Sequence, residues 1–192
     1  MLSYDEQIRK IMQNAKRIEY SKTVEDQIYE QARKIIAVKK KENHHKEDPT
    51  HEIKRFSTGL FGEMAVGSLL GISILDFSIG NSANYNVPDV PGFQVGIKTA
   101  EYGKWPIIFK ENDYAQIMCL TDKERRSVYV LGLATPEILN AYQDESLILC
   151  PNLRRRGTKT AFCGLDQLKP ISSLLDLEAF REPEPDLDLL CC

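Results

Sequence analysis

The sequence predicts a mixed α/β protein, and three observations carry that prediction. Apolar residues recur at helical spacing through the first 70 residues. Short alternating or apolar runs then dominate from 72 to 165. One short helix interrupts those runs, so helices lead, strands follow, and the two share one core.

Residues 3–18 place Ile8, Ile11, Met12, Ala15 and Ile18 at helical intervals. A second helix opens after Ser21, with an apolar stripe of Val24, Ile28, Ala32, Ile35 and Ile36. It closes on Lys39, Lys40 and Lys41, where cations suit the helix dipole. Residues 42–52 read as a polar loop or frayed helix end, and Pro49-Thr50 marks a stop and a new start. From 53 to 70 the pattern is a buried helix built on Phe56, Leu60, Met64, Ala65, Val66, Leu69 and Leu70, ended by Gly71. Gly59, Gly62 and Gly67 each cost that helix stability, so another backbone or a ligand is expected close by. Strands are expected at 72–79, 93–100, 105–110, 114–121, 127–134, 146–150 and 158–165. Residues 135–143 read as a short helix with Thr135 as N-cap and Pro136 at its first position. "PNLRRRG" (151–157) reads as a loop. The expected organisation is an N-terminal helical segment (1–50), an α/β core (51–175) and a loosely held acidic tail (176–192).

A chain of 192 residues can bury one sizeable core. Its 42% hydrophobic and 28% charged fractions are ordinary for a globular protein. No run of about 18 apolar residues predicts a membrane span, and the charged start predicts no signal peptide. Cys119, Cys150, Cys163, Cys191 and Cys192 show neither metal spacing nor a disulfide framework, which fits a reducing, cytoplasmic setting. His44, His45 and His51 read as solvated loop residues, since adjacent side chains do not converge on a helix. The net charge of -3 argues weakly against a general nucleic-acid binder. It hides an asymmetry: residues 1–55 hold 13 Lys/Arg against 10 Asp/Glu, while residues 171–192 hold one Arg against six acids.

The chemistry concentrates in three residues. Glu63 lies within an otherwise apolar helix, where a carboxylate is expensive unless it finds a cation or an open edge. Asp89 follows a proline just before a strand, and Lys98 lies near that strand's end. Residues two apart on a strand share a face, so Gln94, Gly96 and Lys98 point together, away from Val95 and Ile97. Phosphodiester hydrolysis uses such a set. Carboxylates hold a divalent ion, the ion activates water, and a lysine offsets charge on the phosphate.

"TGLFGEMAVGSLLGI" and "PDVPGFQVGIKT" together resemble the PD-(D/E)xK nuclease superfamily. The resemblance spans roughly 56–134, and "KTAFCGLDQLKPI" is reminiscent of phage-encoded members. It implies a restriction-endonuclease-like core, a mixed central β-sheet flanked by helices. It also implies a metal-dependent DNA endonuclease in which Glu63 and Asp89 hold Mg²⁺ or Mn²⁺ and Lys98 positions the attacking water. The departure is Gly96, where the superfamily has an acid two residues before the lysine. Gln94 is the first choice to replace it, with Glu101 and Asp76 as alternatives. If nothing replaces it, the chain is a catalytically inactive nuclease-like fold, acting as a nucleic-acid-binding or protein-binding, inhibitory module. Lys104 and the triplet Arg154, Arg155 and Arg156 are candidate phosphate contacts. The N-terminal helices are candidates for a homodimer contact, and an assembly protein working through them is a further reading. Each site residue also has a plain structural role: Glu63 at a helix edge or paired to a cation, Asp89 in a turn, Lys98 guarding an edge strand.

Overall fold

The structure, a computed structural model, describes residues 2–39, 48–75 and 88–183. Its first helix, α1 (Tyr4–Ile11), begins with a capping box. Ser3 Oγ accepts from the Glu6 N–H, and Glu6 Oε2 accepts from the Ser3 N–H at 2.8 Å. Strand β1 (Lys16–Glu19) and helix α2 (Lys22–Lys39) follow. Helix α3 (Pro49–Leu70) is capped by Asp48, whose side chain accepts from the Thr50 N–H at 3.1 Å, and ends at Gly71 in the left-handed region. Beyond it lie β2 (Val95–Glu101), β3 (Ile107–Phe109), β4 (Ala115–Asp122) and β5 (Ser127–Ala134). The chain continues through α4 (Pro136–Ala141), β6 (Gln143–Asp144), α5 (Pro151–Arg156) and β7 (Lys159–Phe162).

The central sheet is four-stranded and mixed, in the order β1-β5-β4-β2. β2 runs parallel to β4, while β5 is antiparallel to both β4 and β1. A second sheet, β3-β7-β6, forms another layer. Helices α2 and α3 cover one face of the central sheet: Ile28, Ala32, Leu60, Phe61, Ala65 and Val66 share a core with Val95, Ile117 and Val130. On the other face, Met118, Leu120 and Leu131 share a core with Ile8 and Ile11 of α1, Ile108 of β3, Leu139 of α4 and Phe162 of β7. The coarse α/β expectation therefore holds, with a mixed sheet flanked by helices.

Several local expectations differ. Residues 16–19 form a strand where the sequence suggested helix; Lys16–Glu19 pair with Val130–Ser127. Four residues are too few to separate the two periodicities, and the β5 edge decides. The N-terminal segment is thus built into the central sheet and both cores. Buried Gln7 fastens it further: its Nε2 donates to Cys163 O at 2.9 Å and its Oε1 accepts from the Leu165 N–H at 2.8 Å. Residues 151–156 form α5, started by Pro151 and stopped at Gly157, where a loop was expected. Residues 146–150 hold the end of a 3-10 turn (Glu145–Leu147) in place of a strand. Residues 72–75 carry no strand, and the rest of that expected strand lies outside the described residues. So do Asp76, His44, His45, Cys191 and Cys192. The start of the tail is docked: a 3-10 helix spans Leu174–Phe180, and Arg181 bridges to Phe93. Among the described residues no helix is long and apolar enough to cross a membrane.

Candidate nucleic-acid interface

β2 is an edge strand, so alternate backbone N–H groups point away from the sheet and need partners. The Pro88-Asp89 turn supplies one. Asp89 Oδ2 accepts the Ile97 N–H at 2.5 Å, and the Val90 N–H donates to Val95 O at 3.0 Å. Asp89 is exposed as a residue, yet this oxygen is turned into the protein. Crowding by protein raises its pKa, and the Ile97 N–H and the Lys98 charge pull it partly back.

Gly96 and Lys98 face the second layer, beside Gln116 and Met118 of β4 in the parallel register. Lys98 is half-buried, and its pKa falls from the ordinary 10.5 to about 8. Burial is the main cause, and the Lys159 ammonium adds to it, while Asp89 opposes both. Lys159, at the start of β7, is itself lowered by burial and by Arg55 and Arg156. Its Nζ lies 4.9 Å from the centre of the Phe109 ring. Among the described residues neither Lys98 nor Lys159 has an ion-pair partner, whereas Arg55 is held by Glu52 at 2.9 Å.

The space beside Gly96 is already filled. A side chain there would place its Cβ 2.9 Å from Tyr114 Cε2 and 3.4 Å from Asp89 Oδ2. An aromatic ring from the residue just before β4 thus occupies the place where the motif has an acid. Gln94 does not fill the gap: its Nε2 donates to Glu182 Oε1 at 3.0 Å, and its backbone N–H donates to Phe180 O at 2.7 Å. Glu101 is engaged elsewhere, with Lys54 at 3.0 Å, Lys104 at 2.5 Å and Lys123 at 3.8 Å. Glu63 is half-buried on α3, next to Gly62, which lies against Thr99. Thr99 and Lys98 point to opposite faces of the sheet, so Glu63 rides on the helix that covers the face away from Lys98. It is not among the groups whose charge acts on Asp89 or Lys98.

The candidate phosphate contacts also separate. Lys104 is spent on Glu101. Arg154 Nη2 donates to Ser146 O at 3.0 Å and to Ile148 O at 2.5 Å, fixing the chain before α5. Arg155 donates to Asn152 Oδ1 at 3.1 Å. Arg156 alone of the triplet acts on Lys159. Among the described residues no three His, Cys, Asp or Glu side chains converge on a cation position. Asp89 already accepts one backbone donor, Tyr114 occupies the ground beside Gly96, and Glu63 belongs to the other face.

Next to the lysines lies a cleft of about 670 Å³, lined by Phe109, Lys110, Glu111, Asn112, Asp113, Tyr114, Gln116, Gly157 and Thr158. Tyr114 links it to the Asp89 turn and Phe109 links it to Lys159. Lys110 and Phe109 are readable from the sequence as backbone or stacking contacts, beside Lys104 and Trp105, with the two aromatics as core residues the plainer reading; the other lining residues escaped the sequence reading. The available signal was Gln116, a polar residue on the buried face of a strand whose other members there are Met118 and Leu120. A scan against models of known protein families and searches of curated proteins and of solved structures each returned no match.

Proposed function

We propose that this chain binds the phosphate backbone of a nucleic acid along the β2 edge, as a DNA-binding module on a nuclease-like α/β scaffold. The observation that carries this reading is the Lys98–Lys159 pair. Burial and the Lys159 charge lower the proton affinity of Lys98, burial and nearby arginines lower that of Lys159, and among the described residues neither ammonium is in an ion pair, although the Asp89 charge partly offsets the effect at Lys98. Like charges held together in partial burial raise the energy of the empty site, and an anion brought between them recovers it. Arg55 and Arg156 extend the field, and the aromatic rings of Phe109 and Tyr114 offer stacking surface beside it.

A second reading, metal-dependent DNA endonuclease, is favoured by one observation: Asp89 beside a lysine whose pKa is about 8. Such perturbed pairs cluster at catalytic sites. In that reading Asp89 holds Mg²⁺ or Mn²⁺ and Lys98 faces the phosphate, and Glu63 joins as a second ligand only if it reaches round from the face that α3 covers.

One experiment separates the two. Fluorescence anisotropy with labelled single-stranded and duplex DNA in EDTA measures binding; plasmid nicking in Mn²⁺ measures cleavage. The binding reading expects Lys98→Ala and Lys159→Ala each to weaken affinity about tenfold and to reduce the salt slope by about one. It also expects Asp89→Asn to tighten binding several-fold, because a negative charge beside Lys98 is removed. Metal-dependent nicking that Asp89→Asn abolishes would move the conclusion to the second reading. Neither binding nor nicking would sink both.

A further inference from the structure

Gly59, Gly62 and Gly67 interrupt α3, and each weakens the helix by loosening its backbone. Two of them are explained inside the protein. A Cβ at Gly62 would collide with Thr99, and one at Gly67 would lie 2.8 Å from Ile72 O. Gly59 has no such neighbour. Among the described residues nothing lies within 4 Å of the place its Cβ would take. Its backbone is ordinary right-handed helix, so no turn requires glycine there either. A helix surface kept bare at a cost, with no internal use, suits a partner that comes close from outside.

The neighbours of Gly59 describe that partner. Arg55 precedes it by four residues and Gly62 follows by three, so the three share one stripe of the helix. Gly62 rests against β2, the edge strand of the central sheet. Arg55 is the residue whose charge acts on Lys159. Its guanidinium is already ordered: Nη2 donates to Glu52 Oε2 at 2.9 Å, and the Phe56 ring centre lies 4.6 Å from its central carbon. The fork has five N–H donors, and the Glu52 bond uses one. Glu63 stands one turn beyond Gly59 and would repel an anion. The stripe thus attracts negative charge at its Arg55 end, stays bare and neutral at Gly59, and repels negative charge beyond. A sugar–phosphate backbone has both parts, an anion and an uncharged ring beside it.

We propose that the backbone of the bound strand crosses α3 at Gly59, with a sugar against the bare helix surface and the adjoining phosphate on Arg55. The inference rests on the nucleic-acid reading above and extends its footprint from β7 to α3. It also gives Gly59 a role that packing does not: a side chain there would hold the strand off the helix.

The test uses the full chain, labelled single-stranded and duplex DNA in EDTA, and thermal melts of the same proteins. Gly59→Gln places a neutral side chain of good helix propensity in open space. It is expected to raise the melting temperature by about 1–3 °C and yet to weaken DNA binding about tenfold. A merely structural glycine would not separate the two readouts in this way. Ser68→Gln, at an exposed position near the other end of α3, is expected to leave affinity within about twofold of wild type. Arg55→Gln is expected to weaken binding several-fold and to reduce the salt slope by about one. Wild-type affinity in Gly59→Gln, beside a Lys98→Ala chain that binds weakly, would overturn the inference and leave the phosphate reading standing. A lowered melting temperature in Gly59→Gln would also overturn it, because the chain itself would then fill that space. No DNA binding by wild type would overturn both.

Discussion

At the scale of single residues, Lys98 makes affinity and stability respond to pH with opposite signs. Its folded pKa of about 8 lies below the ordinary 10.5. Below pH 8 the protein holds a charged, half-buried ammonium at a cost, which the Lys159 charge adds to and the Asp89 charge partly offsets. As pH rises through 8 toward the unfolded value, the folded state sheds that proton first and the cost is relieved. An anion needs the charged form, so DNA affinity should fall several-fold between pH 7 and 9 while the free protein gains stability from this group. Lys98→Arg should remove the affinity step, because guanidinium stays charged throughout. Anisotropy and thermal melts across that range check both signs, and an affinity profile identical in wild type and Lys98→Arg would rule out Lys98 as the titrating contact. Asp89 and Lys98 were legible in the sequence because one strand and the turn before it carry both. Lys159 and Gln116 arrive from other strands and Tyr114 from the residue just before β4, and no spacing along the chain announces that they gather near β2.

At the scale of elements, the helix glycines had a reason. A Cβ at Gly62 would lie 1.8 Å from Thr99 Oγ1 and 3.0 Å from Thr99 Cβ, so α3 touches β2 with no room for a methyl group. Gly62→Ala should gain about 1 kcal/mol of helix propensity. It should still destabilise the protein by about 1–3 kcal/mol through overpacking. Thr99→Ala in the same chain should return part of that loss, since it removes the nearer atom. Urea unfolding of the single and double variants measures it, and a stabilised Gly62→Ala would mean that α3 sits farther from β2. The sequence showed that something approaches this helix without showing what. Long periodic segments such as α3, and strands such as β5, were readable because many residues repeat one pattern. β1 and α5 were misread because four to six residues satisfy either pattern, and distant partners choose between them.

At the scale of the whole molecule, the N-terminal segment is structural. Its two apolar helix faces are used inside the protein: α1 fills the second core and α2 covers α3. β1 occupies one edge of the sheet. Removing residues 1–20 would open the edge of β5 and uncover Phe162, Leu165 and Leu168. The shortened chain is expected to be insoluble or to lose its near-ultraviolet circular dichroism, whereas an appended dimerisation arm would be dispensable. Gln7→Leu is the milder test; it leaves Cys163 O and the Leu165 N–H without their side-chain partner. Each buried group so orphaned costs roughly 1–3 kcal/mol. A truncated chain with a native spectrum and melting curve would contradict this account.

The central sheet is bounded by early and late parts of the chain. Residues 16–19 line one edge, while Phe180, Arg181 and Glu182 clasp the lead-in to β2 at the other. Translation delivers these two guards at very different times. A nascent chain that has emerged only as far as β5 has its first border in place and its second still unprotected. During that interval the lysine-bearing strand is open to pairing with another polypeptide. The half-buried cation on β2 therefore has a use before any ligand arrives, because a charge on an unfinished border discourages the wrong neighbour.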